Sequence, residues 1–161
     1  MLCKIDNYFR ILYRLSGYIA AIFLILVATF ILTGIASRIF GFYIRGLAEY
    51  SGYCMAAASF LALAYTFGEK GHIRITLFLE KSNNTIRRYL ELWCLSIATF
   101  FSGFLSFYFL KMLMISFNFQ ERSEGADEIL IWIPQVPVAL GSTIFFICIL
   151  HNFILLILKK N

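Results

Sequence analysis

The chain has 161 residues, of which 61% are hydrophobic and only 14% charged, with a mean hydropathy of +0.81 and a net charge of +5. Soluble domains carry roughly 25% charged residues, so the composition places the chain in a membrane and excludes disordered and repeat architectures. The basic residues lie between apolar segments and form no patch on a soluble scaffold, which argues against nucleic acid as a partner.

The N-terminal residues set Leu2, Ile5, Phe9 and Leu12 against Lys4, Asp6, Arg10 and Arg14. That spacing predicts an amphipathic helix over about 2–13 lying in the membrane interface, with Arg10 and Arg14 as candidate contacts to lipid headgroups. An uncharged run of 23 residues, 15–37, follows. A helix rising 1.5 Å per residue needs about 20 residues to cross a core of about 30 Å, so this run is a first span. It is too long for the roughly 7–15-residue apolar core of a signal peptide.

A second span is predicted over about 47–68, opened by Glu49 one turn after Arg45. Within it Ala48, Gly52, Ala56 and Ser59 form a stripe of small residues, the kind that lets helix backbones approach closely in lipid. Glu49, Gly52 and Ala56 are therefore candidate contacts to a partner subunit. Ile75, Phe78 and Leu79 then predict a second interfacial helix, about 73–82, ended by the polar run 82–85, which also caps the next helix. Arg87 and Arg88 are further candidate headgroup contacts.

The third span is expected over about 88–110, with Ser96, Thr99, Gly103 and Ser106 as a second small-residue stripe. Its loop carries Glu121, Arg122, Glu124, Asp127 and Glu128, a charged group suited to steering a soluble protein. The last uncharged run, 129–158, has 30 residues and contains Pro134 and Pro137. Proline is poorly tolerated inside a helix, so an interfacial turn is predicted at 131–134 and a fourth span over about 135–158.

Lys and Arg number ten in the N-terminal segment, second loop and C-terminus, against four in the first and third loops. By the positive-inside rule both termini are cytoplasmic. The expected class is an all-α integral membrane protein, one domain of four transmembrane helices.

The chemistry expected of the spans is mainly that of packing surfaces. The four uncharged runs, 15–37, 50–68, 92–110 and 129–158, carry no Asp, Glu, Lys or Arg, the groups on which proton relays and intramembrane ion sites depend. Cys54, Cys94 and Cys148 stand singly and no C-x-x-C exists, so they read as small apolar residues. No phosphate-binding glycine loop, zinc spacing or nucleophile–base pair is present, so no cofactor, metal or catalytic activity is expected. The competing interpretation is a stand-alone four-helix redox or haem protein ligated through His72 and His151.

Three motifs in order carry a family resemblance: Leu47-Ala48-Glu49-Tyr50 opening the second span, Gly71-His72-Ile73-Arg74-Ile75 after it, and Trp132-Ile133-Pro134-Gln135 with Val136-Pro137 and Gly141 entering the fourth. Together they resemble the small, DctQ-type membrane subunit of tripartite ATP-independent periplasmic (TRAP) transporters. That family often has a second acid where this chain has Tyr50. The resemblance implies a sodium-driven uptake system for organic acids in a bacterial or archaeal cytoplasmic membrane. In such a system a large membrane subunit holds the substrate and sodium sites, and an extracytoplasmic binding protein delivers the substrate. It also implies that His72, Arg74, Trp132 and Gln135 join Glu49, Gly52 and Ala56 as contacts to the large subunit. The loop acids and Arg122 would receive the binding protein, and phospholipid would surround the whole.

Overall fold

The computed structural model describes residues 2–70, 84–125 and 127–158. They form four helices, α1 (Leu2–Ile39), α2 (Leu47–Lys70), α3 (Asn84–Phe119) and α4 (Trp132–Leu158). Among the described residues the only extended pairing is one antiparallel bridge, Arg122 with Leu130. The all-helical class agrees with the sequence, and α1, α3 and α4 are long and apolar enough to cross a membrane. At 24 residues α2 has the length, but its serines, glycine and tyrosines make it the more polar helix.

The helix ends follow local chemistry. At the end of α1, Gly41 has φ 75°, and the amides of Gly41 and Phe42 bond the carbonyls of Arg38 (3.3 Å) and Ser37 (3.0 Å). This is a Schellman cap, with the left-handed position filled by glycine at no steric cost. The end of α3 repeats the geometry with Gln120 at φ 50°, its amide on Phe117 and that of Glu121 on Ser116.

Three boundaries differ from expectation. The segment about 2–13 and the first span form one unbroken helix, and from Phe9 onward it packs in the fold: the Phe9 ring lies 4.5 Å from that of His151 on α4. Helix α3 runs past 110 to Phe119, because an exposed Lys111 can extend its charge away from the apolar surface without ending the helix. Helix α4 begins at Trp132, not near 135, because Pro134 falls in the first turn, where an N–H would have no helical partner. Pro137 does lie inside the helix, and the carbonyl of Ile133 loses its usual donor.

The helices pack in the order α1, α2, α4, α3, with α1 against α2 the most extensive pairing and α1 touching α4 only slightly. The core is made of small side chains: Ala57, Ala58 and Ala64 of α2, Ala139, Ser142 and Cys148 of α4, Ala20 and Ser16 of α1, and Ser102, Ser106 and Ser116 of α3. Ser16, Ser102 and Ser142 can be buried because each hydroxyl bonds a carbonyl three residues back in its own helix. Ser106 and Thr143 pair across α3 and α4 at 3.1 Å. The outer helices keep long apolar faces open, with Ile25 66% and Phe100 70% exposed.

Candidate functional site

The charged loop between α3 and α4 closes back on the start of α2. Within the loop, the amide of Ser123 bonds the carbonyl of Ile129 at 2.7 Å and that of Ile131 bonds Glu121 at 3.0 Å, making a narrow antiparallel turn. Tyr53 on α2 pairs with the Ser123 hydroxyl at 2.9 Å, and the Tyr50 hydroxyl donates to Asp127. Gly46, at φ 77° just before α2, lies so close to the Asp127 carboxylate that a Cβ there would collide with it. The Glu49 carboxylate lies against Gly125, where again a Cβ would collide. Glu49 and Asp127 thereby bring negative charge to the positive end of the α2 dipole, a favourable placement.

This clasp sorts the five charged loop residues. Glu121 accepts the Ser116 hydroxyl at 2.8 Å, and Asp127 is held by Tyr50, so both are engaged in folding the loop. Arg122 and Glu128 pair at 3.6 Å on the surface, with side chains 67% and 73% exposed. Glu124 is exposed. Tyr50, Tyr53, Ser123 and Gly125 are the participants missed from the sequence. The signal was a tyrosine at each of two exits of one helix turn facing a Ser-x-Gly turn, which has no helical periodicity to expose it. Gly125→Ala is expected to push the loop off Glu49 and lower its local stability by roughly 1–2 kcal/mol, raising amide exchange over 120–131 about tenfold. Unchanged exchange there would show that the clasp does not hold the loop.

The two small-residue stripes face opposite ways. On α3, Gly103 meets the Phe146 ring and Ser106 bonds Thr143, so this stripe is the seam with α4, although Ser96 is exposed. On α2, Ala48, Gly52 and Ser59 are exposed and Ala56 half-buried, and a Cβ on Gly52 would meet nothing within 4 Å. The inner face of α2 is instead Ala57, Ala58, Leu61 and Ala64. Helix α2 is therefore small on both sides, one side filled by this chain and one left open.

At the start of α4, Trp132 packs edge-on against Phe117 with ring centroids 5.5 Å apart. Its indole nitrogen and the Gln135 side-chain oxygen are buried with no hydrogen-bond partner among the described residues. Arg14 lines a cleft of about 390 Å³ with Gly17, Tyr18 and Tyr65, and both Arg10 and Arg14 are exposed. Arg87 and Arg88 fall near the start of α3. His72, Arg74 and the segment 73–82 lie outside the described residues. Among the described residues no three His, Cys, Asp or Glu side chains cluster as metal ligands.

A family model described as "Tripartite ATP-independent periplasmic transporters, DctQ component" matches residues 26–159. No curated protein and no solved structure matches the chain.

Proposed function

Because the chain belongs to the DctQ components of tripartite ATP-independent periplasmic transporters, and so is a multi-pass membrane component of a transport complex, we propose that it is the non-catalytic scaffold of a sodium-coupled uptake system for organic acids. The family match is the observation that carries this reading. The large membrane subunit holds the substrate and sodium sites, and this chain enlarges its stationary part. The open face of α2, with Gly52 and Ala56, is where the large subunit packs. Glu49 adds to that contact from the clasp, and the Trp132 indole nitrogen and Gln135 side-chain oxygen, which have no partner among the described residues, receive polar partners from the same neighbour. His72 and Arg74 contact the large subunit at the opposite end.

In this reading α2 is the fourth crossing. Its polar character fits a helix with protein on both sides, since buried small residues and hydroxyls suit close helix contact better than lipid. Both termini face the cytoplasm of a bacterial or archaeal cell, and Arg10, Arg14, Arg87 and Arg88 meet anionic headgroups there, each adding about 1 kcal/mol of attraction. The α3–α4 loop faces outward and helps receive the binding protein.

A mild-detergent pull-down through a C-terminal tag, with mass spectrometry and an absorbance spectrum, tests the assignment. Stoichiometric recovery of a large polytopic protein without a visible chromophore is expected. Recovery of this chain alone with a Soret band would favour the haem interpretation instead.

The sorting of loop charges refines the docking test. Reversing the outward pair, Glu124→Lys with Glu128→Lys, is expected to slow uptake roughly tenfold at low salt and by less than about twofold at high salt, because exposed charges act through steering. An equal loss at both salt concentrations would mean that these charges do not steer the binding protein.

A further inference from the structure

We propose that the cleft between the C-terminal part of α1 and the N-terminal part of α2 binds one phospholipid. It has a volume of about 290 Å³, and its lining includes Phe30, Ile31 and Leu47 along its length and Arg38 and Tyr43 nearer the α1–α2 turn. Along α1, Phe30 and Arg38 are eight residues apart, about 12 Å at 1.5 Å per residue, most of a leaflet half of a roughly 30 Å core. The lining thus changes from aromatic and aliphatic to cationic over the distance at which a lipid changes from chain to phosphate.

The two serines in the cleft walls are turned to their own backbone. Ser37 bonds the carbonyl of Gly34 at 2.9 Å and Ser51 that of Ala48 at 2.7 Å. Glu49 also lines the cleft, with its carboxylate against Gly125. An acyl chain therefore finds an apolar surface below Arg38, and the guanidinium offers a forked donor that suits phosphate oxygens. At residue 34 the cleft has room to spare: a Cβ there would make only an ordinary contact, 3.8 Å from Leu47, so alanine is accommodated and a larger side chain fills the space. Ile31 and Ile35 on the same wall are 51% and 52% exposed, so the cleft continues the lipid-facing surface of α1. A phospholipid satisfies both ends at once, which a soluble anion or a lone apolar side chain does not.

The proposal goes beyond the scaffold reading, and only the leaflet, the outer one, depends on the orientation given there. The test uses the purified complex, delipidated and supplied with phosphatidylglycerol, with retained lipid read by native mass spectrometry. Gly34→Leu, which fills the cleft, and Arg38→Gln are each expected to cut retention by at least about fivefold, while Gly34→Ala keeps it and all three assemble at wild-type yield. Glycerol 3-phosphate, the headgroup chemistry without chains, is expected not to displace the lipid. Unchanged retention in both Gly34→Leu and Arg38→Gln, or displacement by glycerol 3-phosphate, overturns the proposal. So does a Gly34→Cys cross-link to the large subunit, which would place a protein side chain in the cleft. These readouts do not depend on substrate or sodium, so they fail separately from the transporter assignment.

Discussion

Valine in place of Gly141 is expected to cost the subunit roughly 2–3 kcal/mol, the upper part of the range for overpacking a well-filled contact. A Cβ at this position would lie 2.8 Å from the backbone nitrogen of Leu61 and 2.8 Å from the carbonyl carbon of Phe60. Those are main-chain atoms of α2, so no rotamer change relieves the collision and α4 must move away from α2. That crossing joins the two inner helices of the row, and separating them exposes Ala64 on one side and Cys148 on the other. Steady-state abundance in membranes and the midpoint of thermal aggregation in detergent both measure the loss. Wild-type values for Gly141→Val would mean that α2 and α4 do not meet at this glycine.

Gly52→Leu should give the opposite pattern. Among the described residues, and apart from the adjoining backbone of α2, no atom lies within 4 Å of a Cβ at Gly52, so the larger side chain leaves the subunit's own packing intact. If the large membrane subunit packs on the open side of α2, leucine separates the two backbones where close approach supplies most of the attraction. Recovery of the large subunit in a pull-down is expected to fall at least tenfold, about 1.4 kcal/mol or more, with subunit abundance unchanged. Undiminished recovery would move the interface to the outer faces of α1 or α3. The two glycine variants separate folding from assembly, because one contact is internal and the other has no described residue opposite it.

The helical class and the approximate positions of the elements were legible because long uncharged runs mean spans. The limits of α3 and α4 were less legible. Lys111 suggested an end that its flexible side chain did not require, and the true end of α3 is capped by Gln120 in a conformation usually given to glycine. Helical spacing identified both small-residue stripes, but spacing cannot say which neighbour each one meets. The direction of a stripe depends on the α1, α2, α4, α3 order, a tertiary fact. The clasp was hidden for the same reason: Asp127 and Tyr50 are far apart in sequence, and a cluster of loop acids looks the same whether its members face solvent or a tyrosine hydroxyl. The motif Leu47-Ala48-Glu49-Tyr50 stands at the start of α2, whereas α4 starts at Trp132, three residues before the predicted position, and the fold adds that loop chemistry ties Glu49 to Gly125.

The two outer helices carry candidate spans of 31 and 32 residues, Phe9–Ile39 and Arg88–Phe119, whose uncharged runs are shorter, 15–37 and 92–110. At 1.5 Å per residue each is about 47 Å long, well beyond a hydrocarbon layer of about 30 Å. A helix with so much excess length must tilt, extend its ends into the headgroup layer, or thicken the bilayer beside it, and each option has an elastic cost that changes with lipid chain length. Here the charged residues near the helix ends, Arg10, Arg14 and Arg38 on α1 and Arg88, Glu91 and Lys111 on α3, place the excess length in the headgroup layer, so the outer helices of the row reach past the hydrocarbon while their uncharged runs match it.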